Sequence, residues 1–294
     1  MPQQGDVARD ISYSRSARSR GGRAVIRVME NATGRIGLIR RAAGYREEVA
    51  RGRDFWEVIL DRFGLSLDVV GGALSDLPGD GPLIVIANHP FGILDGIMLG
   101  HILSARRGDF RILAHRIFGH APDLERVILP VNFDGTRAAV RENLDTRRRA
   151  LDRLAGGGCI GVFPGGTVST AARPFSRPMD PGWRSFTARM VAKSGATVVP
   201  VYFDGSNSRL FQIASHLHPT LRMGLLMQEF RRRTDRPVRV VIGQPVPPAE
   251  IARRAGDARA LMDFLREATY HLSPQPFDSL DYGFEFEEKH KHRV

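Results

Sequence analysis

The chain has 294 residues, of which 42% are hydrophobic and 26% charged, enough apolar material for one large or two small folded domains. No stretch approaches the roughly 20 apolar residues that a membrane-spanning helix needs. The arginine-bearing N-terminus has no apolar core, which excludes a secretory signal, and the single Cys159 excludes internal disulfides and suits a reducing compartment. A net charge of +11, with all but three of the 43 basic residues arginine, predicts attraction to something acidic: nucleic acid, an anionic membrane surface or an acidic protein.

Residues 1–22 are rich in Ser, Arg and Gly and read as a basic flexible tail. Across 23–76 apolar residues recur at mixed three and four spacing, among them Ile36, Ile39, Tyr45, Val49, Trp56, Ile59 and Phe63. That spacing predicts amphipathic helices, which either pack on a core or lie in a lipid interface. A turn-rich stretch at 77–81 then opens an alternation of elements. Strands are expected at 83–87, 110–114, 127–132, 159–163, 197–203 and 238–242, with helices at 97–104, 136–154, 183–193 and 208–216. The pattern predicts an α/β domain over 77–273, a mixed and mainly parallel sheet flanked by helices. Residues 246–272 end it in a helical region, and 274–294 read as an irregular tail.

The chemistry concentrates where two apolar strands end. The run 83–87 leads into Asn88-His89-Pro90-Phe91-Gly92-Ile93-Leu94-Asp95. Ligands of open α/β sheets bind at the carboxyl ends of strands, and this one delivers an imidazole followed by a carboxylate. An imidazole held by a carboxylate takes a proton from a hydroxyl near neutral pH, so His89 reads as a general base oriented by Asp95. Five residues separate the two. On a continuous helix that spacing turns the side chains about 600° apart, onto different faces, so the pairing requires a non-helical loop, which Pro90 and Gly92 favour. The second segment is Phe163-Pro164-Gly165-Gly166-Thr167. Its consecutive glycines allow backbone amides near Gly165 and Gly166 to approach an oxyanion or phosphate, with Thr167 as a donor or a brace of the loop. It lacks the Gly-Lys-Ser/Thr of a P-loop.

This pair of motifs, in this order and about 75 residues apart, resembles the glycerolipid and lysophospholipid acyltransferase family, in the subset with His-Pro-Phe-Gly at the first motif. Leu129-Pro130-Val131-Asn132-Phe133-Asp134-Gly135-Thr136-Arg137 resembles its second block, ending on an acceptor-binding Arg, and Val198-Val199-Pro200-Val201 its fourth. The resemblance covers about residues 80–245. It implies an O-acyltransferase moving a fatty acyl group from an acyl thioester, acyl-CoA or acyl carrier protein, to the hydroxyl of a lysolipid in membrane lipid biosynthesis. In that reading His89 and Asp95 are catalytic. Asn88, Arg137, Phe163, Pro164, Gly165, Gly166 and Thr167 line the substrate, and no metal or cofactor is required. Gly165 stands where the common third motif has Glu. That departure puts a lysophosphatidic acid acceptor in doubt and makes a lysoaminolipid its competitor. The implied setting is cytoplasmic, peripheral on the inner face of the cell membrane, with an anionic lipid surface and acyl carrier protein as partners and no nucleic acid.

Other residues have simpler readings. His115 and His120 flank a turn, and Arg116 is a second candidate for the acceptor. His216 and His218 alternate, but no Cys or acidic cluster completes a metal site. Trp183 reads as core and 205–208 as a helix cap. The segment 221–233, Met-bearing with a terminal arginine cluster, suits either an acyl chain and anionic lipid or an ordinary buried helix. Two rival functions share these residues: a thioester hydrolase using the same His and Asp on water, and an arginine-rich nucleic-acid-binding protein. The second leaves the His and Asp loop unexplained.

Overall fold

The structure is a computed structural model and describes residues 12–17, 19–115, 122–132 and 136–285. Four helices lead: α1 (Arg20–Thr33), α2 (Arg35–Ala42), α3 (Tyr45–Ala50) and α4 (Phe55–Phe63). Strands and helices then alternate through β1 (Ser66–Gly71), β2 (Leu83–Ala87), α5 (Ile93–Arg107), β3 (Phe110–His115), α6 (Pro122–Glu125), β4 (Ile128–Val131), α7 (Arg137–Ala155) and β5 (Cys159–Val162). A small hairpin, β6 (Thr170–Ala171) with β7 (Pro178–Met179), precedes α8 (Ser185–Ser194) and β8 (Thr197–Phe203). The chain continues through α9 (Arg209–Leu217), α10 (Pro219–Arg233), β9 (Pro237–Ile242), α11 (Pro248–Arg254) and α12 (Ala258–Tyr270).

Seven strands form one sheet in the order β1-β9-β8-β2-β5-β3-β4. All neighbours pair in parallel except β8 with β9, so the sheet is mixed and mainly parallel, with helices on both faces. Central β2 is buried along its whole length because both faces are covered. Its side chains alternate between two cores. Leu83, Val85 and Ala87 face Trp56, Phe63, Met98 and Leu99, while Ile84 and Ile86 face Leu154, Met190, Leu261 and Leu265.

Two expectations for the N-terminal part change. The helical region ends at Phe63, where Gly64 takes a left-handed φ of 61° and closes α4. Residues 66–71 form a strand instead, pairing in parallel with β9, so the sheet reaches back across the boundary expected at residue 76. The seven residues between Gly64 and Gly72 are too few for the helical period to be contradicted, and the Val69-Val70 pair alone only hints at a strand. The basic tail expected to run to residue 22 is packed from Ser12. There the Ser12 hydroxyl and the Tyr13 amide donate to the buried carboxylate of Glu30, at 2.6 and 2.7 Å. At the other end, 274–285 is irregular but docked: Arg266 donates to the carbonyls of Leu280 and Asp281, and Phe284 N–H to Thr170 O. Among the described residues no helix is long and apolar enough to cross a membrane.

Candidate active site

The carboxyl end of β2 builds the site. The Asn88 side chain behaves as an extra rung of the sheet: its amide donates to Phe203 O at 3.0 Å, and its oxygen accepts from Phe203 N–H at 2.7 Å. It is buried and spent on backbone, which corrects the expectation that it faces substrate. The chain then turns at Gly92, whose φ of 93° favours glycine, and α5 begins at Ile93. Asp95 therefore lies in the first turn of α5, while His89 stands outside the helix. The five-residue separation is accommodated by a turn followed by a helix start.

The two side chains meet. His89 Nδ1 lies 2.9 Å from Asp95 Oδ2, with Asp95 fully buried and the His89 side chain 19% exposed. The same Asp95 oxygen accepts the amides of Phe91 (2.8 Å) and Gly92 (2.9 Å), a cap that the positive end of the helix dipole also favours. Burial pushes the Asp95 carboxyl above the ordinary aspartate range, opposed by His89 and by those amides. The ring N–H points off the line to the carboxylate, outside hydrogen-bond geometry. Such contacts commonly tighten only when substrate binds. Phe163 stacks on the imidazole, centroids 4.4 Å apart and planes at 26°, and so fixes the ring orientation from the neighbouring strand β5. With Nδ1 turned to Asp95, Nε2 is the nitrogen left to take a proton.

The glycine loop closes over this turn. Ser169 N–H donates to His89 O at 2.8 Å, and Pro164 O accepts from Arg184 N–H. Gly166, at φ 70°, donates its amide to Phe163 O at 3.0 Å. That amide is consumed inside the turn, which corrects its expected role at an oxyanion. Among the described residues the amides of Gly165 and Thr167 donate to no backbone carbonyl, and they remain as donors. The Thr167 hydroxyl accepts from Arg222 Nη2 at 3.2 Å and so braces the loop.

Arg137 sits exposed at the start of α7, beyond edge strand β4. Three strand spacings, about 14 Å, separate β4 from β2, so Arg137 shares the sheet's carboxyl edge without touching the imidazole. Arg116 and His120 lie outside the described residues, and His115 ends β3. His216 contacts Ala171 O at 2.9 Å, and His218 caps α10 by accepting Thr220 N–H. Ser208 caps α9, accepting Phe211 N–H. The segment 221–233 is a largely buried helix packed on α1, not an open lipid groove.

Four residues that sequence reasoning did not connect with His89 complete the arrangement. Asp180, fully buried, accepts the His89 backbone amide at 3.2 Å, the Ser169 hydroxyl and the Trp183 indole N–H at 2.9 Å. Arg222, buried in α10, donates to Thr170 Oγ1 (2.6 Å), Ser215 Oγ (2.8 Å) and Val168 O (2.8 Å) as well as to Thr167. Arg233 stacks on Phe91 at 4.2 Å, and burial lowers its pKa while the charge of Asp95 opposes that shift. Tyr13 is half-buried near Asp95, and its phenol is pushed upward first by desolvation and then by the charges of Glu30 and Asp95. No spacing rule links any of the four to His89. Trp183, expected as core, is buried as expected and adds the bond to Asp180.

An imidazole turned to a buried carboxylate, beside unspent amides, is an arrangement suited to transferring an acyl group to a hydroxyl. Comparison with known proteins agrees. The family model described as Acyltransferase matches residues 42–283. A lyso-glycine lipid O-acyltransferase of Phocaeicola vulgatus is 26% identical over 228 residues, covering 75% of this chain and 78% of that protein. A lyso-glycine lipid O-acyltransferase of Bacteroides thetaiotaomicron is 24% identical over 204 residues, covering 67% and 71%. The crystal structure of the 1-acyl-sn-glycerophosphate acyltransferase PlsC from Thermotoga maritima aligns with a TM-score of 0.49 at 18% identity, over 87% of this chain and 100% of that one. With the family model spanning most of its length, from α2 to the docked C-terminal segment, this chain belongs to the acyltransferase family.

Proposed function

We propose that this acyltransferase moves a fatty acyl group from an acyl thioester to the hydroxyl of a lysoaminolipid, with His89 as the general base. The observation that carries the reading is the 2.9 Å approach of His89 Nδ1 to the buried Asp95 carboxylate. His89 Nε2 takes the hydroxyl proton as that oxygen attacks the thioester carbonyl. The new C–O bond forms, the C–S bond breaks, and the proton passes from His89 to the leaving thiolate. Asp95 stabilises the imidazolium in between. The amides of Gly165 and Thr167 serve the developing oxyanion, and Arg137 reaches the far end of the acceptor head group. Acyl-CoA and acyl carrier protein are both donors compatible with this chemistry.

Two observations support an amino-acid lysolipid over lysophosphatidic acid. Both curated relatives are named for a lyso-glycine lipid. Gly165 adjoins the Asp180 carboxyl, 3.4 Å from where a Cβ would stand, and adds no acid of its own at the position the common third motif gives to Glu. The enzyme works at the cytoplasmic, anionic face of the cell membrane in this reading, where its charge of +11 favours residence.

The test supplies purified protein with lyso-glycine lipid or lysophosphatidic acid and an acyl thioester on either carrier. Diacyl product from the amino-acid lipid is expected, and His89→Gln should lower its rate by about 10² to 10⁴. Free fatty acid without acylated lipid would sink the transfer and favour hydrolysis.

A further inference from the structure

The hairpin β6–β7 carries Phe175 at its tip, 80% exposed. Helix α9 lies against the base of that hairpin. Gln212 Oε1 accepts Ala171 N–H at 3.0 Å, His216 Nε2 contacts Ala171 O at 2.9 Å, and Arg209 Nη1 donates to Ser176 O at 3.0 Å. The inner side of α9 is buried through Phe211 and Ala214 on Val168 and Leu225. Its outer side shows Leu210, Ile213 and Leu217, which are 52%, 37% and 65% exposed. Steps of three and seven residues put these three in one stripe within about 60° of each other. A single exposed Leu needs no explanation, but a stripe adjoining a bare Phe does.

The charge carried by the hairpin and by the helix with its leading loop has one sign. Neither 171–179 nor 205–218 contains an exposed acid or any Asp or Glu, whereas both contain exposed arginines: Arg173, Arg177 and Arg209. A large apolar face ringed by cations is the pattern of a helix lying in an anionic lipid interface. An acidic protein would satisfy the arginines but leave the bare apolar side chains without a reason. The patch is also tied to the site, because Ser169, one residue before β6, holds the His89 carbonyl.

We propose that the outer face of α9 and the Phe175 hairpin tip dock this enzyme on an anionic bilayer, bringing the His89 opening to the depth of a lysolipid hydroxyl. The proposal rests on the lysolipid reading above. Its test is co-sedimentation with phosphatidylcholine vesicles made with and without phosphatidylglycerol. The wild type should bind the anionic vesicles, and salt should weaken that binding. The triple substitution Phe175→Ser, Leu210→Ser, Leu217→Ser should lower the partition at least about tenfold. It should keep the wild-type melting curve and its rate on a short-chain acceptor dispersed in water, and lose rate only on acceptor embedded in vesicles. Should the triple variant unfold, Arg173→Gln with Arg209→Gln offers the same reading through a flatter salt dependence. Vesicle binding equal to wild type in a folded triple variant overturns the proposal. So does a wild type that ignores vesicles and holds acidic acyl carrier protein on this face. Vesicle binding as expected, with no acyl transfer to either acceptor form, would keep the docking surface and refute the lysolipid reading.

Discussion

The backbone amide of His89 donates to the buried carboxylate of Asp180, 91 residues further along the chain, at 3.2 Å. His89 is thus held at two places by two different carboxylates: Asp95 addresses its ring and Asp180 its main chain. Asp180 also gathers Ser169 and Trp183, so the strand end and the glycine loop share one anchor. Asp180→Ala strands three buried donors, each costing about 1–3 kcal/mol when left unpaired. Urea unfolding should show a loss of about 3 kcal/mol or more, and a loss under 1 kcal/mol would contradict the anchoring role.

Asp95→Asn should cost activity without costing stability. Burial raises the Asp95 pKa above its ordinary 3.8, so ionising this carboxyl disfavours the folded state. For a raised acid, the stabilising contribution is complete below the unfolded value and fades as pH climbs through the folded one. The melting temperature of Asp95→Asn relative to wild type should therefore rise from pH 4 to pH 7, while acyl transfer falls by about 10² or more. A difference that shrinks with pH would show that the Asp95 charge stabilises the fold.

Gly100 faces Trp56 so closely that a Cβ would lie 2.3 Å from the indole ring. This contact seats α4 on α5. Gly100→Ala should destabilise by about 1–3 kcal/mol through overpacking. Adding Trp56→Leu should return part of that loss, and thermal melts of the four members of the cycle would reveal it. Strict additivity would mean the two residues do not bear on each other.

Cys159 is buried in β5, and burial pushes its thiol up to about 12. At pH 8 alkylation by iodoacetamide should run roughly a thousandfold slower than for free cysteine, since only the thiolate reacts. Mass spectrometry of the folded protein should find it unmodified until denaturant is added. Labelling at the free-thiol rate would place this side chain in solvent.

The legible parts of this protein were its local ones. Continuous apolar runs and glycine punctuation mark β2, β3, β5, β8 and β9 to within a residue or two, because a strand covered on both faces must be continuously apolar. The approach of His89 to Asp95 was legible too, since a short turn joins them and Pro90 and Gly92 announce it. β1 was not legible: half-buried at the sheet's edge, its six residues carry as much polar as apolar character, and the pairing with β9 supplies what they lack.

Residue chemistry alone determined that an imidazole and a carboxylate stand at a strand end, and that a glycine turn follows another strand. Which donors remain open there was settled by contacts distant in sequence. Phe203 takes the Asn88 side chain, Asp180 takes the His89 main chain, and Arg222 takes Thr167. Buried polar groups must find partners, but one sequence offers many partners for each, and only the packing of β8, β7 and α10 around β2 selects among them.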